Sequence, residues 1–114
     1  MPHYMILARY TPPVLKNLLS SPEALTSRND HADAFYGSVG GKVVTAYFMR
    51  DARWHFLVIV DFPDHEAAHA AIMVGQASGA FEAGEVYPLT SLEEAVGALK
   101  RAGAAGKVFY PPGA

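Results

Sequence analysis

No cysteine occurs in the chain, which excludes disulfide staples, thiolate metal ligands and a thiol nucleophile and fits a reducing compartment. No apolar run approaches the ~20 residues that span a bilayer, and no charged leader with a small-residue cleavage site precedes the first strand. Basic residues form no block. With nine Lys and Arg against eleven Asp and Glu, the formal net charge is −2, so the electrostatic footprint of a nucleic-acid binder is missing. A glycine-rich phosphate loop, a Ser-His-Asp spacing and a carboxylate cluster are also lacking. Charge of either sign is scarce, 18 % of 114 residues against 51 % hydrophobic. That ratio excludes a disordered chain and leaves little polar surface for so small a monomer. The expectation is a cytoplasmic domain with one core, no cofactor, no nucleic-acid partner and no membrane partner.

What the chain does have is apolar strands. Phe56-Leu57-Val58-Ile59-Val60 is a continuous apolar run and Tyr4-Met5-Ile6-Leu7-Ala8 comes close, the pattern of strands buried on both faces. A strand over residues 3–10 is stopped by Thr11-Pro12-Pro13, since proline removes ladder donors. Val14, Leu15, Leu18 and Leu19 make a short helical stretch. Ser21 then caps a longer helix with Pro22 at its first position, ending near Gly40-Gly41. Strands follow over residues 42–50 and 53–62, joined by a tight turn at Asp51-Ala52. Pro63-Asp64 opens an alanine-rich helix closed by Gly79, and a strand covers residues 82–89. Ser91 and Glu94 form a capping box for a third helix that runs out at Ala102-Gly103. A C-terminal tail covers residues 104–114 and is expected to be extended from Gly106 to Ala114, with Val108, Phe109 and Tyr110 docking on a surface.

This βαββαβ order, with an extra C-terminal helix, predicts an α+β, ferredoxin-like split fold over residues 1–103. Helices cover one face of such a sheet. Tyr4, Ile6, Ala8 and Tyr10 with Trp54, Phe56, Val58 and Val60 are the candidates for that face. The other carries His3, Met5, Leu7 and Arg9 with Arg53, His55, Leu57, Ile59 and Asp61, too apolar for water. A second copy of the chain is the expected cover, giving a homodimer.

His65-Glu66-Ala67-Ala68-His69 matches the H-E-x-x-H pattern of zinc peptidases. However, Ala67, Ala68, Ala71, Val74 and Gly75 define the inward stripe of that helix, so both histidines are expected in solvent and no metal site is assigned. The first long helix is more informative. Leu25, Ala32, Phe35 and Val39 mark its sheet-facing stripe, and Arg28, Asn29 and Tyr36 fall inside it. Arg28 passing the sheet edge into water, with Asn29 capping a loop, is one reading. The other is a pocket between helix and sheet, floored by Tyr4, Tyr10 or Trp54, in which Arg28 and Asn29 orient a polar group of a ligand.

The opening Met1-Pro2 and apolar strand to Tyr10-Thr11, Gly40-Gly41-Lys42-Val43, Asp61-Phe62-Pro63-Asp64 with Glu66-Ala67-Ala68, and Leu89-Thr90 together resemble the GYD-domain family of dimeric α/β-barrel proteins. The naming Gly-x-Tyr-Asp motif falls on Ala52-Arg53-Trp54-His55, where an aromatic is kept and the glycine and acid are gone. The resemblance implies a dimeric α/β barrel and no particular reaction. Neighbouring families include cofactor-free oxygenases, isomerases, haem-degrading enzymes and ligand sensors. Three functions follow as expectations. The first is a cofactor-free oxygenase or isomerase acting on an aromatic or polyketide-like molecule, with Arg28, Asn29, Tyr36, Trp54 and Tyr10 binding it and His55 as catalytic base. The second is a non-catalytic binding or assembly module. The third is haem or metal binding through His55, His65 or His69.

Overall fold

The computed structural model describes residues 2–113, so Met1 and Ala114 lie outside the described residues. The chain runs β1 (His3–Tyr10), α1 (Pro12–Ser20), α2 (Ala24–Gly37), β2 (Lys42–Phe48), β3 (Phe56–Asp61), α3 (His65–Ala77), β4 (Phe81–Leu89) and α4 (Leu92–Gly106). The strands form one antiparallel sheet in the order β2-β3-β1-β4. This is an α+β, ferredoxin-like split βαββαβ architecture with α4 added.

Local chemistry explains the boundaries. Proline at the first positions of α1 fits because the missing N–H has no partner there in any helix. The side chains of Asp64 and Ser91 accept the N–H groups of Ala67 and Glu94 and so start α3 and α4. Ser21, expected to open the long helix, instead closes α1, its N–H donating to the Asn17 carbonyl at 3.0 Å. Pro22-Glu23 makes the turn and α2 starts at Ala24. The tight turn at Asp51-Ala52 is a seven-residue connection, residues 49–55, between β2 and β3. Asp51 Oδ1 accepts the N–H groups of Arg53 and Trp54 at 2.6 and 3.1 Å. These bonds hold the Asp51 carboxyl below its ordinary pKa. Such local bonds compete with the strand ladder, so β3 begins only at Phe56.

The register His3↔Asp61 through Ala8↔Phe56 between β1 and β3 sets the two faces. Tyr4, Ala8, Tyr10, Val58 and Val60 are buried on the helix side. Tyr4, Val58 and Val60 form the core with Phe62, Ala68 and Ala71. Phe62, just past β3, meets the rings of Tyr4 and Tyr36 edge-on at centroid distances of 5.6 and 5.9 Å. At Gly41 a Cβ atom would lie 3.0 Å from the Tyr36 carbonyl and 3.1 Å from the Phe62 ring, so the close entry of β2 onto the core requires glycine.

Among the described residues no helix covers the opposite face. Met5, Leu7, Leu57 and Ile59 are half-buried there, and Tyr47, Tyr87 and Leu89 are exposed. His3 pairs there with Asp61 and Arg53 with Glu85, and Arg9 reaches Glu82 on the edge strand β4. Beyond the sheet, α4 buries no residue. It continues three residues past its expected end, and Val108, Phe109 and Tyr110 are exposed rather than docked. The radius of gyration is 17.9 Å and the long axis 58 Å, against about 13 Å for a compact chain of about 100 residues. The C-terminal arm therefore projects.

Candidate functional site

Between α2, α3 and the helix side of the sheet lies an open cleft of about 780 Å³. Its space comes from missing side-chain volume. Ala8, Ala46 and Gly84 on the sheet, Ala32 on α2, and Ala71 and Gly75 on α3 all line it. Small residues on three facing elements leave a gap where large ones would interdigitate. Larger side chains close its ends. Phe35, Tyr36 and Val58 stand toward the core, and Tyr10, Phe56 and Phe81 toward the far end of the sheet.

Polar groups enter from α2. Arg28 and Asn29 line the cleft one turn before Ala32, with Tyr36 two turns beyond Arg28. Among the described residues Arg28 makes no ion pair. Its charge is felt by two phenols. Burial pushes the Tyr36 hydroxyl up to about 12 and the Tyr10 hydroxyl above its ordinary value, while Arg28 pulls both the other way. The phenols therefore stay protonated at neutral pH, as hydrogen-bond donors beside a permanent cation. Linkage gives an expected pH profile. The unfolded phenol titrates near pH ~10 and the folded Tyr36 near 12. Its contribution is intact below the unfolded value and lost as pH climbs between the two. The urea midpoint is expected to fall across that alkaline window, with a smaller fall in Tyr36→Phe.

The structure thus brings together Tyr10, Arg28, Asn29 and Tyr36. It leaves out Trp54 and His55. Both precede β3, so strand alternation does not direct them. Trp54 does not line the cleft and lies under the Arg53 guanidinium at 5.1 Å. His55 is turned to the Tyr10 side of the sheet rather than to its open face. Its ring sits between those of Tyr10 and Phe48, at 5.7 and 6.3 Å, and its Nδ1 accepts the Tyr10 N–H at 2.9 Å. That bond fixes the neutral ring as the Nε2–H tautomer. His55 thus stands one ring behind the cleft wall, where it positions Tyr10 and Phe48.

On the H-E-x-x-H helix His65 is exposed, as expected, and in addition its Nδ1 is hydrogen-bonded to the Tyr4 hydroxyl and its ring meets Tyr4 edge-on at 5.8 Å. The histidine supplies the partner that a buried phenol needs. His69 is exposed. Among the described residues no cluster of three or more His, Cys, Asp or Glu side chains is placed to hold a metal ion. No helix among them is long and apolar enough to cross a membrane.

Sequence reasoning missed Phe48, Phe81, Gln76 and Glu82, which also line the cleft. Phe81 opens β4 one residue before the expected start, and its stacking on Tyr10 at 5.7 Å is a tertiary contact with no local signature. Glu82 is paired with Arg9 at 3.1 Å.

No curated protein matches the chain. The GYD-domain family matches residues 4–99, which takes in all of the sheet but His3, α1 to α3 and the first half of α4. With that match spanning most of its length, the chain belongs to the GYD-domain family.

Proposed function

We propose that the cleft binds a small aromatic or polyketide-like molecule carrying an acidic or carbonyl group. The observation that supports this most is Arg28, an arginine without an ion-pair partner among the described residues, at a cleft of about 780 Å³ lined mainly by apolar groups. Ligand sites of roughly 300–1,000 Å³ combine apolar walls with a few convergent polar groups in this way. The guanidinium would face the ligand's oxygen atoms, with the Tyr36 and Tyr10 hydroxyls as neutral donors and Asn29 as a further partner.

The same groups define what chemistry the cleft can promote. A fixed cation and protonated phenols stabilise negative charge building on a ligand, as in an enolate or phenolate. Glu82, the carboxylate at the cleft, is paired with Arg9, and the His55 Nδ1 is engaged. The cleft is thus better furnished to hold and polarise an acidic aromatic than to take a proton from it. Binding is the primary activity on this reading. Any cofactor-free oxygenation or isomerisation would draw on the ligand's own reactivity. The open sheet face, with Leu7, Leu57 and Ile59 at its centre, pairs with a second copy of the chain on the same reading.

The test uses 8-anilinonaphthalene-1-sulfonate, an aromatic anion. Calorimetric titration is expected to show one saturable site per chain, with a dissociation constant in the range of about 1–100 µM. Ala32→Phe, which fills the cleft from α2, is expected to abolish that site while the urea midpoint is retained. Equal binding to both proteins, or no binding to either, overturns the proposal.

A further inference from the structure

The C-terminal arm and a groove at the other end of the molecule have matching needs. On the arm, Leu92, Val96 and Leu99 form an i, i+4, i+7 stripe on α4, exposed at 89, 50 and 70 %. Phe109 and Tyr110 beyond it are exposed at 69 and 82 %. An amphipathic helix with its apolar stripe in water lacks its partner. The groove holds about 220 Å³ between α1, the start of α2 and the end of β2, lined by Leu15, Leu18, Leu19, Pro22, Leu25 and Phe48. It is apolar throughout, and Leu19 at its lip is 75 % exposed.

The arm of a given chain is poorly placed to fill its own groove. α4 leaves the sheet after Leu89, the last residue of the edge strand β4, which pairs with His3 of β1. The groove lies past the opposite edge strand β2, at the end where Phe48 pairs with Phe56 and Phe56 with Ala8. The two are at diagonal corners of a sheet about 14 Å wide and about 27 Å long. A helix of 15 residues carries the tail about 22 Å from its start, and the 58 Å long axis shows it carried outward.

We propose that the arm docks on a second copy of this chain, α4 lying across the partner and Phe109 seated in the partner's α1–β2 groove. Two-fold symmetry makes the contact reciprocal, two arms in two grooves. The area suffices. Each arm offers two aromatic rings worth roughly 150–250 Å² apiece besides the α4 stripe. Two arms with their grooves thus reach the roughly 1,200–2,000 Å² of a stable interface. Leu25 and Phe48 line both the groove and the mouth of the ligand cleft, so the partner's arm becomes the outer lip of that cleft. The docking itself does not rest on the ligand reading.

A chain without cysteine makes the test direct, because each introduced thiol is the sole one present. Leu19→Cys and Phe109→Cys are prepared as separate full-length variants, mixed and mildly oxidised. The mixture is expected to form a disulfide-linked dimer well faster than either variant alone. By sedimentation, Phe109→Asp and Leu19→Asp, both at exposed positions, are each expected to raise the dimer dissociation constant by roughly thirtyfold or more. Cross-linking in the mixture no faster than in the separate variants overturns the proposal. So does a full-length chain that is monomeric at micromolar concentration, or a dimer whose dissociation constant neither aspartate changes. The last result would leave the sheet face as the contact, and the dye titration of the wild-type chain reads the cleft independently of all three.

Discussion

Phe62→Ala is expected to lower the free energy of unfolding by about 3–5 kcal/mol, the range for deleting a buried phenyl ring from a packed core. Phe62 is fully buried and touches three elements. Its ring faces Tyr4 on β1 and Tyr36 on α2 and lies against Gly41 at the entry to β2. The neighbouring groups are held in place by other bonds. Tyr4 is tied to His65, and the Tyr36 carbonyl accepts the Gly41 N–H at 2.8 Å. The site can collapse only partly, so the penalty belongs at the upper end of that range. Against a total stability of about 5–15 kcal/mol, the variant is expected to be largely unfolded in modest urea. Urea titration followed by the fluorescence of Trp54, the single tryptophan, measures it. A loss below about 1 kcal/mol would mean the ring is not packed as described.

Arg28→Ala is expected to weaken anilinonaphthalene-sulfonate binding by roughly ten- to hundredfold, the effect of removing a charge-assisted hydrogen bond to a ligand anion. Stability should hardly change, because the side chain is exposed and has no ion-pair partner among the described residues. Two further signs follow. Exposure at the mouth means that salt weakens wild-type binding and leaves the alanine variant nearly unaffected. Arg28→Lys keeps the charge and loses the planar fork, so it is expected to recover part of the affinity. With that positive charge removed, Tyr36 and Tyr10 are held protonated still more firmly, and the remaining weak binding is expected to be flat from neutral to mildly alkaline pH. Calorimetry at low and high salt reads all of these. An alanine variant that binds as tightly as wild type would place the dye away from Arg28.

Much of the fold was legible because particular residues act locally. Proline after Thr11 ends β1 at Tyr10, Asp64 and Ser91 start their helices through their own side chains, and the apolar run at residues 56–60 marks β3. The misreadings also have local causes. A Ser-Pro pair serves a helix start and a helix end equally well, and at Ser21 the preceding helix already supplies the Asn17 carbonyl for its N–H. At Asp51 a carboxylate that binds its own chain outcompetes the ladder, which moved Trp54 and His55 out of the strand and away from their expected faces. The cleft was half legible. Arg28, Asn29 and Tyr36 stood out because polar groups inside an apolar stripe need partners. Its walls did not, since Ala8, Ala46, Gly75 and Gly84 look like ordinary small residues until the sheet and α3 are brought face to face.

The most direct measurement is a crystal structure of protein purified without added ligand or extraction. Planar density is expected in the cleft between α2, α3 and the sheet, lying among Tyr10, Phe35 and Tyr36 with a polar end within hydrogen-bonding distance of the Arg28 guanidinium. A cleft closed by its own side chains, with Phe35 and Tyr36 packed onto Ala71 and Gly75 and no density near Arg28, would contradict ligand binding there.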